Sequence, residues 1–240
     1  MPSDNDFPGF PQRTFEFLAA LSRNNTKEWF DAHRGDYKDF YVAPAVALAS
    51  ALRPHLWAIS PTVKVEPRIN GSLLRINRDT RFSRNKAPYR THIDLVFWEG
   101  ERRGFDSPSF LFRLEPNTLT IGAGIVHLGK DALAKYRAAV ANPELAESLR
   151  SIVRELTRDD TYAVIGKMRG SYVRGIEEGS DLAKNDSLWA AISGPVPTEA
   201  RSSALVDYCA RHYGAMSPLI GWLLRDAGIA TASGANSHPQ

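Results

Sequence analysis

The sequence predicts a single α+β domain in which N-terminal and C-terminal helices cover one face of a mainly antiparallel sheet. Three observations predict this class: helical periodicity over the first sixty residues, alternating apolar residues near 92–124, and helical periodicity again after Gly129. The order helices, meander, helices is typical of a sheet with its helices on one face. The predicted domain covers residues 1–230, and the small, polar residues 231–240 are expected to form a disordered tail.

Three helices are predicted within the first sixty residues. Thr14 is expected to cap the first helix, because its hydroxyl can accept a hydrogen bond from the first helical turn. Asn25, with Glu28 three residues later, resembles a capping box for the second. Pro44 suits the first turn of the third.

The middle of the chain predicts an antiparallel meander. Residues 93–97 alternate in the period of two that is typical of a half-buried strand, and residues 110–114 and 119–123 repeat the pattern after turn-like segments. Residues 63–65 and 74–76 are predicted to add two short strands. The sheet is therefore expected to lie in the central third of the sequence.

The helical period returns after Gly129. Two helices are predicted there, and Asn142-Pro143 is expected to cap the second. A less regular stretch, residues 161–197, contains short β-like pieces. The last two helices are predicted over residues 204–213 and after Ser217-Pro218, where the proline suits a helix start.

Composition excludes several classes of protein. With 43% apolar and 24% charged residues, the chain is neither collagen-like, nor a coiled coil, nor wholly disordered. No uninterrupted apolar run reaches the roughly 18 residues that a membrane helix needs, so a soluble protein without a membrane partner is expected. The single cysteine, Cys209, excludes an intramolecular disulfide and a cysteine zinc site. It fits a reducing compartment, and the predicted location is cytoplasmic.

Positive charge is concentrated in one short segment. Between Arg68 and Arg90 there are seven basic residues and one acid, a net charge of +6, whereas the rest of the chain carries −3. The net charge of the whole chain is only +3, which by itself argues weakly for a polyanionic partner. If the sequence indicates a functional site, it lies in this segment.

The basic segment is predicted to be a loop that leads into the strand at His92. Arginines three residues apart do not share one strand face, and Pro88 also favours a loop. Guanidinium groups bind phosphate and carboxylate oxygens, and a hydroxyl can add a neutral donor. The predicted ligand-binding residues are Arg75, Arg78, Arg81, Ser83, Lys86 and Arg90.

The same segment carries a family resemblance. The residues concerned are Arg78-Asp79-Thr80-Arg81-Phe82-Ser83, Lys86 and Pro88-Tyr89, together with Phe10, Thr14-Phe15, Phe17-Leu18, Asn24-Asn25, Glu28-Trp29-Phe30 and Tyr37. They resemble domain-of-unknown-function family twenty-four sixty-one, an uncharacterised family of bacteria and fungi, from about Phe7 to about Leu224. The chain departs from the common pattern at Asn85, usually an acid, and at Ala87, usually a threonine. The family has no established reaction, so the resemblance implies no mechanism.

Three hypotheses about function follow. The first is binding of an anionic, phosphate-bearing small molecule or nucleic acid by the arginine-rich segment. The second is an enzyme acting on an anionic substrate, with Asp79 or His92 as the acid or base. The third is a structural or partner-binding module whose arginines form buried salt bridges.

No metal site or cofactor is predicted. His92 and Asp94 are two residues apart on a strand and therefore share a face, but two candidate ligands are too few for a metal. The sequence leaves the oligomeric state open.

Overall fold

A computed structural model describes residues 7–229, apart from Phe82, Arg84 and residues 102–105, 170–171 and 177–178. It confirms the predicted α+β class. Along the sequence, helices come before the first strand and after the last one. One cluster of buried apolar side chains extends from Phe7 to Ile229. The tail predicted at residues 231–240 lies outside the described residues, and the single domain over residues 1–230 stays a prediction.

The N-terminal helical region is nearly continuous. Its elements are α1 (Gln12–Arg23), α2 (Lys27–Ala32), α3 (Arg34–Asp36), a π-helical segment (Tyr37–Val42) and α4 (Ala43–Ile59). Two predicted caps are wrong. Thr14 is buried inside α1 and donates its hydroxyl to the carbonyl of Phe40, because a buried hydroxyl needs a partner. Thr26, not Asn25, caps α2 by accepting a hydrogen bond from the backbone N–H of Trp29.

The sheet is antiparallel throughout. Its strands are β1 (Ile93–Trp98), β2 (Ser109–Leu114), β3 (Thr118–Ile125), β4 (Ala163–Arg169), β5 (Tyr172–Gly175) and β6 (Leu188–Pro195). They lie in the order β1-β2-β3-β6-β4-β5, so β1–β3 form the predicted meander. Strand β6, which sequence analysis did not single out, lies between β3 and β4 near the centre of the sheet.

The short strands expected at residues 63–65 and 74–76 are not formed. Instead the irregular chain before β1 runs beside it and makes isolated bridges, Lys64 to Trp98 and Leu73 to Leu95. The backbone bends sharply at Asn70, which has a φ of +62°. That bend prevents a regular ladder along the edge of β1.

The C-terminal helices are α5 (Lys130–Ala141), α6 (Pro143–Thr157) and α7 (Ala204–Gly221), followed by a π-helical segment (Trp222–Asp226). Asn142 caps α6 as predicted, accepting hydrogen bonds from two backbone N–H groups. The break expected at Ser217-Pro218 is wrong, because Pro218 lies inside α7. Proline cannot donate to the carbonyl of Gly214, and the hydroxyl of Ser217 donates to it instead, at 2.8 Å.

The helices cover one face of the sheet. Helix α7 packs on β3, and α4 and α6 pack beside it. The helical run Arg34–Ile59 is, by length and composition, the one described segment apolar enough to cross a membrane. Leu48, Leu52 and Leu56 of that run are fully buried against the other helices and the sheet, so we interpret it as a core helix. The opposite face of the sheet carries the cavity considered next.

Candidate functional site

The basic segment is irregular, as expected for the predicted loop, and it folds back on itself as a hairpin. A bridge joins Asn77 to Tyr89, and the N–H of Arg78 donates to the carbonyl of Pro88 at 2.8 Å. The base of the hairpin is fixed by Asn25, whose side chain donates to the carbonyl of Tyr89 and accepts from its N–H, at 2.9 and 3.0 Å. The asparagine side chain thus pairs with the hairpin backbone as a neighbouring strand would.

Most of the predicted ligands bind other groups of the same hairpin. Arg81 forms a bidentate ion pair with Asp79, the closest atoms lying 2.6 Å apart. Arg78 donates to the carbonyl of Ala87 at 3.0 Å, with Ser83 Oγ a further 3.4 Å contact, and Lys86 donates to a backbone carbonyl. Arg75, like Arg81 and Lys86, is exposed. None of these residues lines either of the two best-formed cavities of the described chain.

The carboxylate of Asp79 is bound by Arg81. The side-chain hydrogen bond from Arg81 is the main cause that lowers the pKa of Asp79. Its carboxyl is solvent-exposed and ionised at neutral pH. The geometry therefore makes Asp79 a partner of Arg81 within the loop.

The remaining predicted residues, Arg90 and His92, meet at a second aspartate, Asp94 on β1. Asp94 is almost fully buried, its side chain being 4% exposed. Arg90 Nη1 lies 3.4 Å from Oδ2 of Asp94. His92 Nε2 lies 3.1 Å from the same oxygen but is not aligned for a hydrogen bond, so this contact is electrostatic. The predicted shared face of His92 and Asp94 is thereby confirmed.

Arg113, which sequence analysis did not single out, completes the cluster. It lies directly opposite Asp94 in the β1–β2 register and binds both carboxylate oxygens, Nε to Oδ1 at 2.7 Å and Nη2 to Oδ2 at 3.1 Å. Opposite charges paired across the predicted meander were the available signal. We call Arg90, His92, Asp94 and Arg113 the Asp94 cluster.

The Asp94 cluster keeps its carboxylate ionised. Burial by itself raises the pKa of Asp94, but the contacts with His92 and Arg113 outweigh burial and hold that pKa below its ordinary value. Two permanently charged guanidinium groups and one imidazole therefore surround a single negative charge.

A cavity of about 620 Å³, the open-face cavity, lies beside this cluster on the face of the sheet opposite the helices. Its polar end is a row of cross-strand neighbours, Asp94, Arg113, Thr120 and Ser193. Thr120 Oγ1 and Ser193 Oγ lie 2.8 Å apart in this row. The next row is apolar and small, consisting of Val96, Leu111, Gly122 and Ala191. One end of the cavity is thus polar and its centre apolar.

Three further ionisable side chains line the cavity, Glu115, His127 and Asp160. The lining therefore has three acids, Asp94 included, and one arginine. At the polar end Glu115 also interacts electrostatically with Arg113, so the carboxylates of Asp94 and Glu115 balance the charges of Arg90 and Arg113. In the described part of the chain no three metal-ligating side chains gather at one point.

A second, smaller cavity of about 270 Å³ lies over α1, α2 and the π-helical segment that ends at Val42. Trp29 and His33 line it and stack on each other with ring centroids 4.0 Å apart. This cavity has less than half the volume of the one beside the Asp94 cluster.

Comparison with known proteins gives the family alone. No curated protein matches the chain. One family model, described as conserved hypothetical protein, matches residues 13–222, which include the hairpin, the Asp94 cluster and the cavity. The chain therefore belongs to the conserved hypothetical protein family DUF2461.

Proposed function

We propose that this protein binds a small organic oxyanion, a phosphate or carboxylate, at the polar end of the open-face cavity. One observation carries the proposal: the buried carboxylate of Asp94 holds Arg113 in place at the polar end, and the guanidinium edge that Asp94 does not occupy opens into the cavity. A guanidinium group that is already oriented loses less side-chain freedom when a ligand binds. Its remaining N–H groups are donors of the kind that bind an oxyanion.

Arg113 supplies the donors. It lines the cavity, its side chain is 42% exposed, and Asp94 occupies only Nε and Nη2. No hydrogen bond among the described residues uses its Nη1. Arg90 does not line the cavity, and its contact with Asp94 helps to hold that carboxylate in place. Nη1 and the outer N–H of Nη2 in Arg113 fit the bidentate geometry in which arginine binds phosphate and carboxylate.

The cavity favours a small molecule over a nucleic acid. Its volume, about 620 Å³, falls within the range typical of small-molecule sites. Arg75, Arg78, Arg81, Ser83 and Lys86 stay predictions as direct ligands. We propose that the exposed cations among them attract the oxyanion over a longer distance, an effect that salt weakens. A cytoplasmic location remains part of the proposal and rests on the single cysteine.

The test is isothermal titration calorimetry of the full chain with inorganic phosphate, ribose 5-phosphate and adenosine monophosphate at two ionic strengths. The decisive variant is Arg113→Gln, and its matched control is Arg34→Gln, which removes an exposed arginine paired with an aspartate outside the cavity and outside the hairpin. We expect Arg113→Gln to weaken binding at least about tenfold and Arg34→Gln to leave it within about twofold.

Two results would refute the proposal. One is that wild-type protein binds none of the probes. The other is that Arg113→Gln, shown to be folded by circular dichroism, binds as tightly as wild type. If Arg113→Gln does not fold, Arg113→Lys keeps the charge but loses the bidentate geometry, and it is expected to weaken binding as well.

An enzyme is the second candidate, and the geometry favours His92 over Asp79 as its acid or base. His92 Nε2 lies 3.1 Å from the buried carboxylate of Asp94, and a catalytic hydrogen bond that is poorly aligned in the free protein can tighten when substrate binds. The carboxylate of Asp79 is bound by Arg81. Turnover of a ligand found by calorimetry, lost in His92→Asn and retained in Asp79→Asn, would support this candidate.

A further inference from the structure

We propose that the organic part of the ligand is a planar aromatic ring, and that it stacks on the indole of Trp189 in the open-face cavity. This inference rests on the proposed function and deepens it from an oxyanion to an aromatic oxyanion. It is carried by the packing of Trp189 over β3, by the exposure of its other face to the cavity, and by the position of the ring relative to Arg113.

Two glycines of β3 make room for the indole. Trp189 on β6 lies opposite Gly124 in the register. A Cβ atom on Gly122 would lie 2.8 Å from Cζ3 and 2.9 Å from Cε3 of Trp189, so the six-membered ring of the indole lies directly over Gly122. A Cβ on Gly124 would lie 2.5 Å from the Cα of Trp189. Larger residues at either position would push the indole away from the sheet.

The other side of the indole faces the cavity. Trp189 is half-buried and lines the cavity together with the small residues Ala163 and Ala191. Small neighbours leave space above an aromatic surface where a second ring can stack. An aliphatic chain would bind there too, but it would forgo the stacking contribution.

Unpartnered polar atoms lie in the row that contains Trp189. Trp98, Ser109, Gly124 and Trp189 are cross-strand neighbours on this face. Among the described residues, the indole Nε1 of Trp98, the Oγ of Ser109 and the Nε1 of Trp189 have no hydrogen-bond partner, and all three atoms are buried. Of these three residues only Trp189 lines the cavity. A ligand in the cavity therefore meets the indole through its ring face and not through these buried atoms.

The spacing fits one molecule. From Arg113 the register crosses one strand to Thr120, and Gly122, beneath the indole, lies two residues further along β3. One strand spacing of about 4.8 Å and two residues of about 3.4 Å each place the ring roughly 8 Å from the arginine position. An aromatic ring joined to an oxyanion through a few atoms, as in a mononucleotide, spans that distance.

The experiment compares probes that contain an aromatic ring with probes that lack one, and both kinds carry a phosphate group. Full-length protein is titrated by calorimetry with adenosine monophosphate against ribose 5-phosphate, and with phenyl phosphate against butyl phosphate. The variants are Trp189→Leu, Trp189→Phe and, as matched control, Trp57→Leu, which alters an exposed tryptophan far from the cavity lining. Sedimentation of the free protein shows whether a second copy occupies the open face.

Wild type is expected to prefer the ring-bearing probe of each pair at least about tenfold. Trp189→Leu should abolish this preference, whereas Trp189→Phe and Trp57→Leu should retain it. If Trp189→Leu is unfolded, Gly122→Ala serves instead, because its Cβ displaces the indole without removing it.

Each contrary result has a distinct meaning. Equal affinity for both members of each pair, with Arg113→Gln still disruptive, overturns the aromatic inference and leaves oxyanion binding intact. No binding of any probe to wild type overturns the proposed function itself. A dimer that buries Trp189 and is dissociated by Leu111→Asp overturns both, because a second copy then covers the open face.

Discussion

Asp79 and Asp94 show at the scale of single residues how burial separates two chemically identical ion pairs. Each aspartate binds an arginine through two contacts. The side chain of Asp79 is 47% exposed and that of Asp94 is 4% exposed. Exposed pairs contribute little to stability because water competes for both charges, whereas removing one member of a buried pair leaves the other uncompensated.

Replacing Asp94 with Asn is expected to destabilise the protein by about 2 kcal/mol. The loss is smaller than for a pair with both members buried, since Arg90 and Arg113 can regain water. Asp79→Asn, the matched control, should leave stability unchanged. Urea unfolding of both variants measures the difference. Equal stabilities would contradict the claim that the buried ion pairs of Asp94 stabilise the fold more than the exposed pair of Asp79.

The Asp94→Asn effect should depend on pH. Because the folded protein holds the pKa of Asp94 below its ordinary value, the carboxylate stabilises the folded state above the unfolded pKa, about 4. That contribution is lost as the pH falls through the lower, folded-state pKa. The stability difference between wild type and Asp94→Asn is therefore expected to shrink below about pH 4. A difference that stays constant to pH 2 would be inconsistent with this explanation.

At the scale of elements, the basic hairpin depends on a clamp from a distant part of the chain. Asn25, which follows α1, bonds both backbone groups of Tyr89, 64 residues away. The rings of Phe30 and Tyr89 stack beside this clamp with centroids 4.1 Å apart. Asn25, Phe30 and Tyr89, which are among the residues that carry the family resemblance, thus lie together in the fold.

Asn25→Ala is expected to destabilise the protein by about 1–2 kcal/mol and to loosen the hairpin, because the backbone groups of Tyr89 lose both partners. Cleavage by trypsin after Arg81 or Lys86 should become faster under native conditions. Asn24→Ala is the control, since Asn24 is exposed and bonds only within its own helix end. Equal cleavage rates in the two variants would show that Asn25 does not anchor the hairpin.

The close pairing of β3 with β6 depends on a glycine, Gly124. Gly124 has a φ of +137°, and a Cβ there would lie 2.4 Å from the carbonyl oxygen of Leu188 on β6. Gly124→Ala is expected to destabilise the protein by about 2–4 kcal/mol, because strain and overlap add. The control is Gly194→Ala, where a Cβ meets open space. Guanidinium unfolding compares the two, and a Gly124→Ala loss as small as that of the control would contradict the close approach of β3 and β6.

At the scale of the whole molecule, the two faces of the sheet have different roles. Helices α4, α6 and α7 cover one face and make the core, while the other face carries the cavity. Cys209 lies in α7 and is completely buried, and burial raises the pKa of its thiol. Its reactivity therefore reports on the integrity of the helical face as a whole.

The thiol of Cys209 is expected to react with a thiol-specific disulfide reagent only when the protein unfolds globally. Its labelling rate should follow the unfolding equilibrium across a urea titration. Ser203→Cys adds an exposed thiol at the start of α7 and should be labelled at once. Rapid labelling of Cys209 in native wild type would show that the helical layer opens locally.

The sequence by itself determined the properties that depend on near neighbours along the chain. The period of two over β1–β3, the Asn142 cap of α6 and the irregular basic segment all follow from local spacing and turn residues, and the structure agrees with each. Local reasoning failed where a side chain had a distant partner. Thr14 and Asn25 have the chemistry of caps, yet each bonds a segment far along the chain.

Only the tertiary structure decided which residues form the candidate site. Arg113 meets Asp94 through strand pairing 19 residues apart, and Trp189 reaches Gly122 because β6 is inserted beside β3. Arg78 and Arg81, from the arginine-rich segment, bind within their own loop because partners a few residues away are within reach, whereas Arg90 from the same segment binds Asp94 on β1. Pairing across a sheet brings together residues that no local pattern connects, and the cavity exists only once those strands are aligned.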